Sequence, residues 1–157
     1  EVLDSQVLSL LALVRREDFV PAARKALAFA DMEIPLSAKP GQTMLAPKVE
    51  ARMLQDLAVQ KHEKVLEIGA GSGYMAALLA HRGQQVISME IDADLAQLAR
   101  DNLKKSGVYN AEVCTGDGAS LLCQAVSSND PLSGPFDVIV LSGSVPGAKQ
   151  SVVLLEK

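Results

Sequence analysis

The chain has 157 residues, of which 48% are apolar, and a formal net charge of −4 at pH 7. This length suits one globular domain with a substantial core, and the apolar share excludes collagen-like and disordered classes. The acidic charge, with two Tyr, three Phe and no Trp, disfavours a nucleic-acid partner, which would need basic and stacking side chains.

The N-terminal part of the chain is predicted to be helical and then irregular. Apolar residues at helical spacing predict an amphipathic helix over residues 2–16, and Pro21 opens a second short helix that ends near Leu27. Residues 31–47 contain three prolines, show no clear period and are predicted to form an irregular loop. Loops of this length are more often functional than idle. Another amphipathic helix is predicted over residues 48–59.

From residue 64 onward, short apolar strands alternate with helices. Four strands are predicted, at residues 64–68, 85–89, 111–115 and 136–141. Two helices between them are predicted at residues 74–80 and 92–105. This alternation is the βαβ pattern of a mainly parallel sheet. A polar surface loop at residues 127–135 and a possible fifth strand at residues 151–155 complete the prediction.

A glycine-rich turn follows the first of these strands, in the run VLEIGAGSGY at residues 65–74. Gly69, Gly71 and Gly73 allow the unusual φ values of such a turn and let a ligand approach the backbone. A dinucleotide site requires the spacing G-x-G-x-x-G, and Tyr74 stands where its third glycine would be. A nicotinamide-dependent oxidoreductase is therefore disfavoured.

The spacing present, G-x-G-x-G, resembles motif I of S-adenosylmethionine-dependent methyltransferases. In that motif an acid before the turn, here Glu67, helps to order the amino-acid end of the cofactor. Glu90 closes the next strand, where its carboxylate would accept hydrogen bonds from both ribose hydroxyls, and Ile91 follows with its backbone. Asp117 comes after the third strand, where these enzymes contact the adenine amino group, and Gly118 adds a backbone group. With the three glycines, these are the predicted cofactor-binding residues.

Several segments, in order and at plausible spacing, resemble the protein-L-isoaspartate O-methyltransferase family. They are REDFVP (16–21), FADMEIPL (29–36), GQTMLAP (41–47), KVLEIGAGSGYMAALLA (64–80), GDG (116–118) and FDVIV (136–140). Motif I is shared by many methyltransferases, whereas the FVP segment combined with the GQT-x-x-x-P loop is much more specific.

This resemblance implies a three-layer α/β/α Rossmann-like methyltransferase fold with a mainly parallel sheet. It also implies transfer of a methyl group from S-adenosyl-L-methionine to the carboxylate of an isoaspartyl residue in a damaged protein or peptide, as a step of protein repair. An ionised carboxylate and a sulfonium react without a general base, so alignment and exclusion of water suffice.

One departure from the family concerns the predicted substrate loop. Leu45 occupies the position of a family serine whose hydroxyl is regarded as an active-site group. Leucine donates no hydrogen bond, and two candidate replacements are the hydroxyl of Thr43, two residues away, and the charge of Lys48. The hypothesis is that repair activity is weak or absent while cofactor binding persists. The alternative function is then an S-adenosylmethionine-binding protein without isoaspartate activity.

A second departure concerns the extent of the sheet. The chain stops soon after the fourth predicted strand, so the sheet is expected to lack some C-terminal strands of the methyltransferase fold. An incomplete sheet with an exposed edge would invite pairing with another copy, which makes a homo-oligomer possible. Residues 1–46 are predicted to form a helical and loop segment that covers the active site. Residues 47–157 are predicted to form the cofactor-binding α/β domain.

The remaining composition points to a cytoplasmic protein. Cys114 and Cys123 are expected to be free thiols in a reducing compartment. The two histidines, His62 and His81, have no neighbours at metal-ligand spacing, so no metal is predicted. No apolar run is long enough for a membrane span, and the first residues are not expected to be a signal peptide, because they have no basic n-region and Asp4 and Ser5 interrupt their apolar residues.

Overall fold

The structure, a computed structural model, describes residues 4–118 and 135–143. In chain order its elements are α1 (Ser5–Leu13), two short 3₁₀ helices (Arg16–Asp18 and Ala22–Leu27), β1 (Ile34–Pro35), β2 (Thr43–Met44), α2 (Pro47–Leu57), β3 (Lys64–Ile68), α3 (Tyr74–Arg82), β4 (Gln85–Glu90), α4 (Ala93–Lys105), β5 (Ala111–Thr115) and β6 (Val138–Leu141). The predicted strand at residues 151–155, Cys123 and nearly all of the predicted loop at residues 127–135 lie outside the described residues.

The four longer strands form one parallel sheet in the order β5-β4-β3-β6. The chain runs outward from β3 to β5 and then crosses to the other side of β3, so the direction of winding reverses between β3 and β6. Ile68 pairs with both Met89 and Leu141, so the carboxyl ends of these strands lie at one edge. Ligands of doubly wound sheets bind beyond such an edge, next to the reversal.

The main core lies between one face of the sheet and helices α1 to α4. Val65 and Val86 point from the sheet into this core, and α3 is buried along nearly its whole length because small residues such as Ala76 and Ala77 allow close packing. Their strand neighbours, Leu66 and Ile87 among them, form a second apolar cluster on the other face. Within the described ranges, no helix contributes a residue to that second cluster.

Most predicted elements are confirmed, and their ends differ by a few residues. Helix α1 begins at Ser5 because the Asp4 carboxylate caps it, accepting hydrogen bonds from the amides of Gln6 and Val7 at 2.8 and 3.3 Å. The second short helix is a 3₁₀ helix rather than an α-helix. The last described strand begins at Val138, two residues later than predicted.

The loop predicted over residues 31–47 contains more regular structure than the sequence indicates. This stretch folds back on itself, and β1 and β2 form a small antiparallel ribbon in which Ile34 pairs with Met44 and Pro35 with Thr43. Strands of two residues are too short to show a hydrophobic period, which is why the sequence pattern missed them. Among the described helices, none is long and apolar enough to cross a membrane.

Candidate functional site

The glycine-rich turn after β3 passes very close to two other parts of the molecule. Gly69 has φ +97° and Gly73 has φ +87°, both in the region that disfavours side chains. A Cβ on Gly69 would lie 2.4 Å from the backbone nitrogen of Gly143, and one on Gly73 would lie 3.1 Å from the carbonyl oxygen of Ala99. The turn therefore needs glycine at these positions to fit between the end of β6 and helix α4.

Glu90, the last residue of β4, holds the turn in place. One carboxylate oxygen accepts a hydrogen bond from the amide of Gly71 at 2.9 Å, and the other accepts one from the amide of Asp92 at 3.1 Å. The side chain is largely buried. Gly71 has φ +54° and its open side faces only the Leu36 side chain. The two predicted cofactor residues Gly71 and Glu90 are thus in direct contact.

Glu67, the acid inside β3, is completely buried behind this turn. The hydroxyls of Ser88 and Ser142 each donate a hydrogen bond of 2.6 Å to one of its oxygens. Burial raises the pKa of Glu67 to about 7, while the two hydroxyl donors oppose that rise and the charge of Glu90 adds to it. Glu67 therefore has polar partners among the described residues but no cation beside it.

A narrow cleft with a cavity volume of about 30 Å³ separates the turn from the N-terminal part of the chain. One wall belongs to the sheet and the turn, with Glu67, Gly69, Ala70, Gly71, Ser72, Tyr74, Met75 and Ser142. The other wall comes from the N-terminal part of the chain and the start of α2, with Leu36, Thr43, Met44, Leu45 and Glu50. The structure thus places the predicted substrate-loop residues opposite predicted cofactor residues, at the point where the sheet reverses its winding.

The other predicted cofactor residues lie along the same edge of the sheet but do not line this cleft. Ile91 follows Glu90 and is 73% exposed. The amide of Gly116 donates a hydrogen bond of 2.9 Å to the Glu90 carbonyl, which keeps the end of β5 beside the end of β4. Asp117 comes next and is exposed, whereas Gly118 is buried against Ile68, where a Cβ would lie 2.8 Å from a side-chain methyl.

A buried arginine ties the N-terminal wall together. Arg16 donates hydrogen bonds to a Glu50 oxygen at 2.7 Å, to the Leu45 carbonyl at 2.9 Å and to the Ala28 carbonyl at 2.8 Å. Its guanidinium lies 5.0 Å from the centre of the Tyr74 ring. Burial raises the pKa of Glu50 to about 7 against the opposing effect of the Arg16 charge. All three nitrogens of the Arg16 guanidinium therefore have hydrogen-bond acceptors.

A second, more exposed contact holds the ribbon to the sheet edge. Lys39 and Gln42 both donate hydrogen bonds to the same Asp92 oxygen, at 2.6 and 3.1 Å. The other Asp92 oxygen caps α4 by accepting from the amides of Asp94 and Leu95. The Lys39 hydrogen bond holds the pKa of the Asp92 carboxyl well below its usual range.

Sequence reasoning missed three residues of this site: Arg16, Glu50 and Ser142. Glu50 shares the buried stripe of α2 with Leu54 and Leu57, at spacings of four and seven residues, and a charged residue on such a stripe is a signal of a buried partner. Ser142 directly follows an apolar strand, where functional side chains of parallel sheets collect. Arg16 carries no comparable local signal.

Comparison with known proteins shows which family of sequences this chain is similar to. The family model of protein-L-isoaspartate(D-aspartate) O-methyltransferase matches residues 1–153. A protein-L-isoaspartate O-methyltransferase of Methanoculleus marisnigri is 37% identical over 150 residues, which are 96% of this chain and 64% of that protein. The chain spans 60% to 65% of the length of the first curated relatives it matches.

Two solved structures show the same fold. A protein-L-isoaspartate O-methyltransferase structure superimposes with a TM-score of 0.71 at 23% identity and covers 88% of this chain and 43% of its own. A Plasmodium falciparum protein assigned to the same group, solved with S-adenosyl-L-homocysteine, gives a TM-score of 0.68 at 19% identity and covers 88% of this chain and 65% of its own. The predicted Rossmann-like methyltransferase fold is confirmed.

Proposed function

This chain belongs to the protein-L-isoaspartate O-methyltransferase family, and from that premise we propose that it takes part in methyl transfer from S-adenosyl-L-methionine to an isoaspartyl carboxylate. The observation that carries the proposal is the position of Glu90, held against the glycine turn at the edge where β3, β4 and β5 end. The cleft beside this turn also reaches the predicted substrate loop, so donor and acceptor would meet there.

The residues present fit the proposed cofactor. Each Glu90 oxygen accepts one amide hydrogen bond and has capacity left for a ribose hydroxyl. The turn is open at Gly71 on the side that faces the β1–β2 ribbon. A Cβ added to Gly71 would approach only the flexible side chain of Leu36. Glu67, buried in the cleft wall without a cation beside it, would be stabilised by the positive charges of the cofactor. Ile91, Asp117 and Gly118 would extend the site along the edge to the base.

The proposed reaction requires the chain mainly to place the two reactants next to each other. Bound S-adenosylmethionine would supply a methyl group on a positively charged sulfur: an ionised carboxylate oxygen would bond to the methyl carbon as the carbon–sulfur bond breaks, and S-adenosyl-L-homocysteine would leave with the electron pair on its uncharged sulfur. The chain would hold the two reactants in line and exclude water, with the 43–45 segment on the acceptor side and residues 69–72 on the cofactor side. In this division, residues 1–46 act as the cover of a cofactor site carried by residues 47–157.

A second candidate function rests on Leu45. Its side chain lines the cleft at the position of the family serine and offers no hydrogen bond to a substrate carboxylate. Thr43 lines the same wall, but its hydroxyl lies 3.5 Å from a Glu33 oxygen, at the limit of a hydrogen bond. Under this alternative the chain binds the cofactor and turns over isoaspartyl substrates weakly or not at all.

Two measurements test these proposals. Calorimetric titration of the chain with S-adenosyl-L-homocysteine is expected to show one saturable site, whereas titration with NAD is expected to show none. A methyl-transfer assay with an isoaspartyl peptide and labelled cofactor then separates the enzyme from the binding protein. Tight NAD binding without S-adenosyl-L-homocysteine binding would overturn both. A cytoplasmic location and pairing of copies stay predictions from the sequence.

A further inference from the structure

We propose that Arg16 and Glu50 are positioning residues for the side of the cleft that would hold the methyl acceptor. Arg16 fixes the 43–45 segment against the cleft through its hydrogen bond to the Leu45 carbonyl, and Glu50 pairs with Arg16. The inference rests on the proposed function and assigns a residue to it. Arg16 is only 5% exposed, although it lies in a short 3₁₀ helix far along the chain from the glycine turn. A buried arginine needs partners, and those of Arg16 are concentrated on this wall.

The contacts of Arg16 reach three separate stretches of chain at once. One terminal nitrogen of the guanidinium meets the Glu50 carboxylate, the other meets the Leu45 carbonyl, and Nε meets the Ala28 carbonyl. Only a planar guanidinium offers donors in these fixed directions, whereas a lysine ammonium would act as a single point charge. The Leu45 carbonyl thereby accepts a hydrogen bond of 2.9 Å from a guanidinium that is also hydrogen-bonded to Glu50 and Ala28.

Arg16 makes its hydrogen bonds to backbone and carboxylate groups on the acceptor side of the cleft. The hydrogen bonds that Arg16 donates to Ala28, Glu50 and Leu45 do not reach residues 69–73 or Glu90, and its guanidinium meets α3 at Tyr74. The glycine turn is held instead by Glu90 and by the carbonyl of Met89. Loss of Arg16 is therefore expected to affect the acceptor side selectively.

Charge explains why Glu50 belongs to the pair. Its carboxylate, itself 3% exposed, neutralises the guanidinium inside the protein. Removing one partner leaves a buried charge unpaired and destabilises the fold, whereas replacing both with apolar side chains of similar volume is often neutral or stabilising. A double replacement thus separates the two roles: it restores packing but not the hydrogen bond to Leu45.

The test compares Arg16→Met, Arg16→Lys and the double variant Arg16→Met/Glu50→Leu with the full chain. Arg15→Met is the matched control, since Arg15 is the adjacent arginine with a side chain 67% exposed and only surface partners. The readouts are thermal stability, hydrogen exchange of the 41–46 segment, the dissociation constant of S-adenosyl-L-homocysteine and KM for an isoaspartyl peptide.

We expect the double variant to recover the stability that Arg16→Met loses, while exchange in the 41–46 segment and KM rise about tenfold, as loss of one charged hydrogen bond implies. Arg16→Lys should keep the charge yet show the same rise in exchange, so it replaces the double variant if that protein does not fold. The dissociation constant of S-adenosyl-L-homocysteine should change by about twofold or less in all variants.

Exchange and KM at the level of the parent chain in the double variant and in Arg16→Lys would overturn the inference. So would an equal rise in Arg15→Met. If the parent chain binds no S-adenosyl-L-homocysteine or transfers no methyl group, the corresponding part of the proposed function fails, while hydrogen exchange of the 41–46 segment still decides the role of Arg16.

Discussion

The two walls of the cleft are built in different ways. The sheet wall depends on backbone geometry: parallel strands end together, and a turn with positive φ at Gly69 and Gly73 fits between β6 and α4. The N-terminal wall has a small ribbon of two strands, each of two residues, and depends on side-chain contacts between residues that are far apart in the sequence. Arg16 and Glu50 are 34 residues apart, and Lys39 and Asp92 are 53 apart.

The two walls are therefore sensitive to different kinds of substitution. A wall made of backbone packing tolerates surface changes but has no room for an added atom at its tightest point. A wall held by a few buried polar contacts tolerates added atoms better, yet one lost partner releases a whole segment. The following predictions test the two walls in turn.

The largest expected effect comes from adding one methyl group to the sheet wall. In Gly69→Ala the new Cβ would lie 2.4 Å from the Gly143 nitrogen, in a residue with φ +97°. We expect a loss of about 3 kcal/mol or more in unfolding free energy and at least about a hundredfold weaker binding of S-adenosyl-L-homocysteine. Chemical denaturation and calorimetry measure both.

Gly107→Ala is the control for this variant. Gly107 also has positive φ, at +71°, but no atom lies within 4 Å of its added Cβ. Its substitution should cost about 1 kcal/mol from backbone strain alone and leave cofactor binding unchanged. Equal effects of the two substitutions would show that the close approach at Gly69 has no role.

The buried acid of the sheet wall predicts a pH dependence. The raised pKa of Glu67, about 7, means that the folded chain binds a proton more readily than the unfolded chain does. This contribution to stability is present at low pH and is lost as the pH rises from about 4.5 through 7. A shift of this size corresponds to about 3 kcal/mol.

Glu67→Gln removes this titration. The unfolding free energy of the variant should therefore gain up to about 3 kcal/mol relative to the parent chain between pH 5 and pH 8. Glu50 titrates in both proteins, and in the variant its pKa is lower because the charge of Glu67 no longer raises it. Denaturation series at several pH values measure the difference, and a difference that stays constant with pH would contradict the prediction.

Loss of the Glu90 carboxylate should weaken the cofactor site by a smaller factor. Glu90→Ala leaves the amides of Gly71 and Asp92 without their acceptor and removes the proposed ribose contacts. We expect about thirtyfold weaker binding of S-adenosyl-L-homocysteine in calorimetry. Glu112→Ala, at an exposed position of β5, is the control and should bind as the parent chain does. Unchanged binding in Glu90→Ala would remove Glu90 from the site.

The smallest effect is expected on the N-terminal wall, from Leu45→Ser. The new hydroxyl would face the cleft from a segment already fixed by Arg16. One added hydrogen bond to a carboxylate should raise kcat/KM for an isoaspartyl peptide about tenfold, with cofactor binding unchanged. Leu45→Ala removes the bulk without supplying a hydroxyl and should show no such rise. If both variants gain equally, steric relief rather than hydrogen bonding explains the result.

The same contrast explains what could be predicted from the sequence. The sheet wall carries local signals, since strand periods, helix caps and a glycine spacing lie within a few residues of each other, and β3, β4 and β5 were predicted almost to the residue. A parallel sheet brings the ends of β3 and β4 to one edge, which is where Gly71 meets Glu90, whereas the order of the strands is a finding of the structure.

The N-terminal wall carries few such signals. Its strands of two residues have no period, and no spacing rule links Arg16 to Glu50 and the Leu45 carbonyl, because that contact exists only once the chain has folded back on itself. Family resemblance pointed to the 41–47 segment, but nothing in its residues shows how it is held. Buried polar contacts between segments that are far apart in the sequence could not be predicted from the sequence alone.

A crystal structure of the chain grown with S-adenosyl-L-homocysteine tests the central claim most directly. We expect the nucleoside at the carboxyl ends of β3 and β4, with its ribose hydroxyls within hydrogen-bond distance of Glu90 and its amino-acid end beside residues 69–71. Clear density for the nucleoside at another place on the chain, or a crevice that stays empty at saturating concentration, would contradict it.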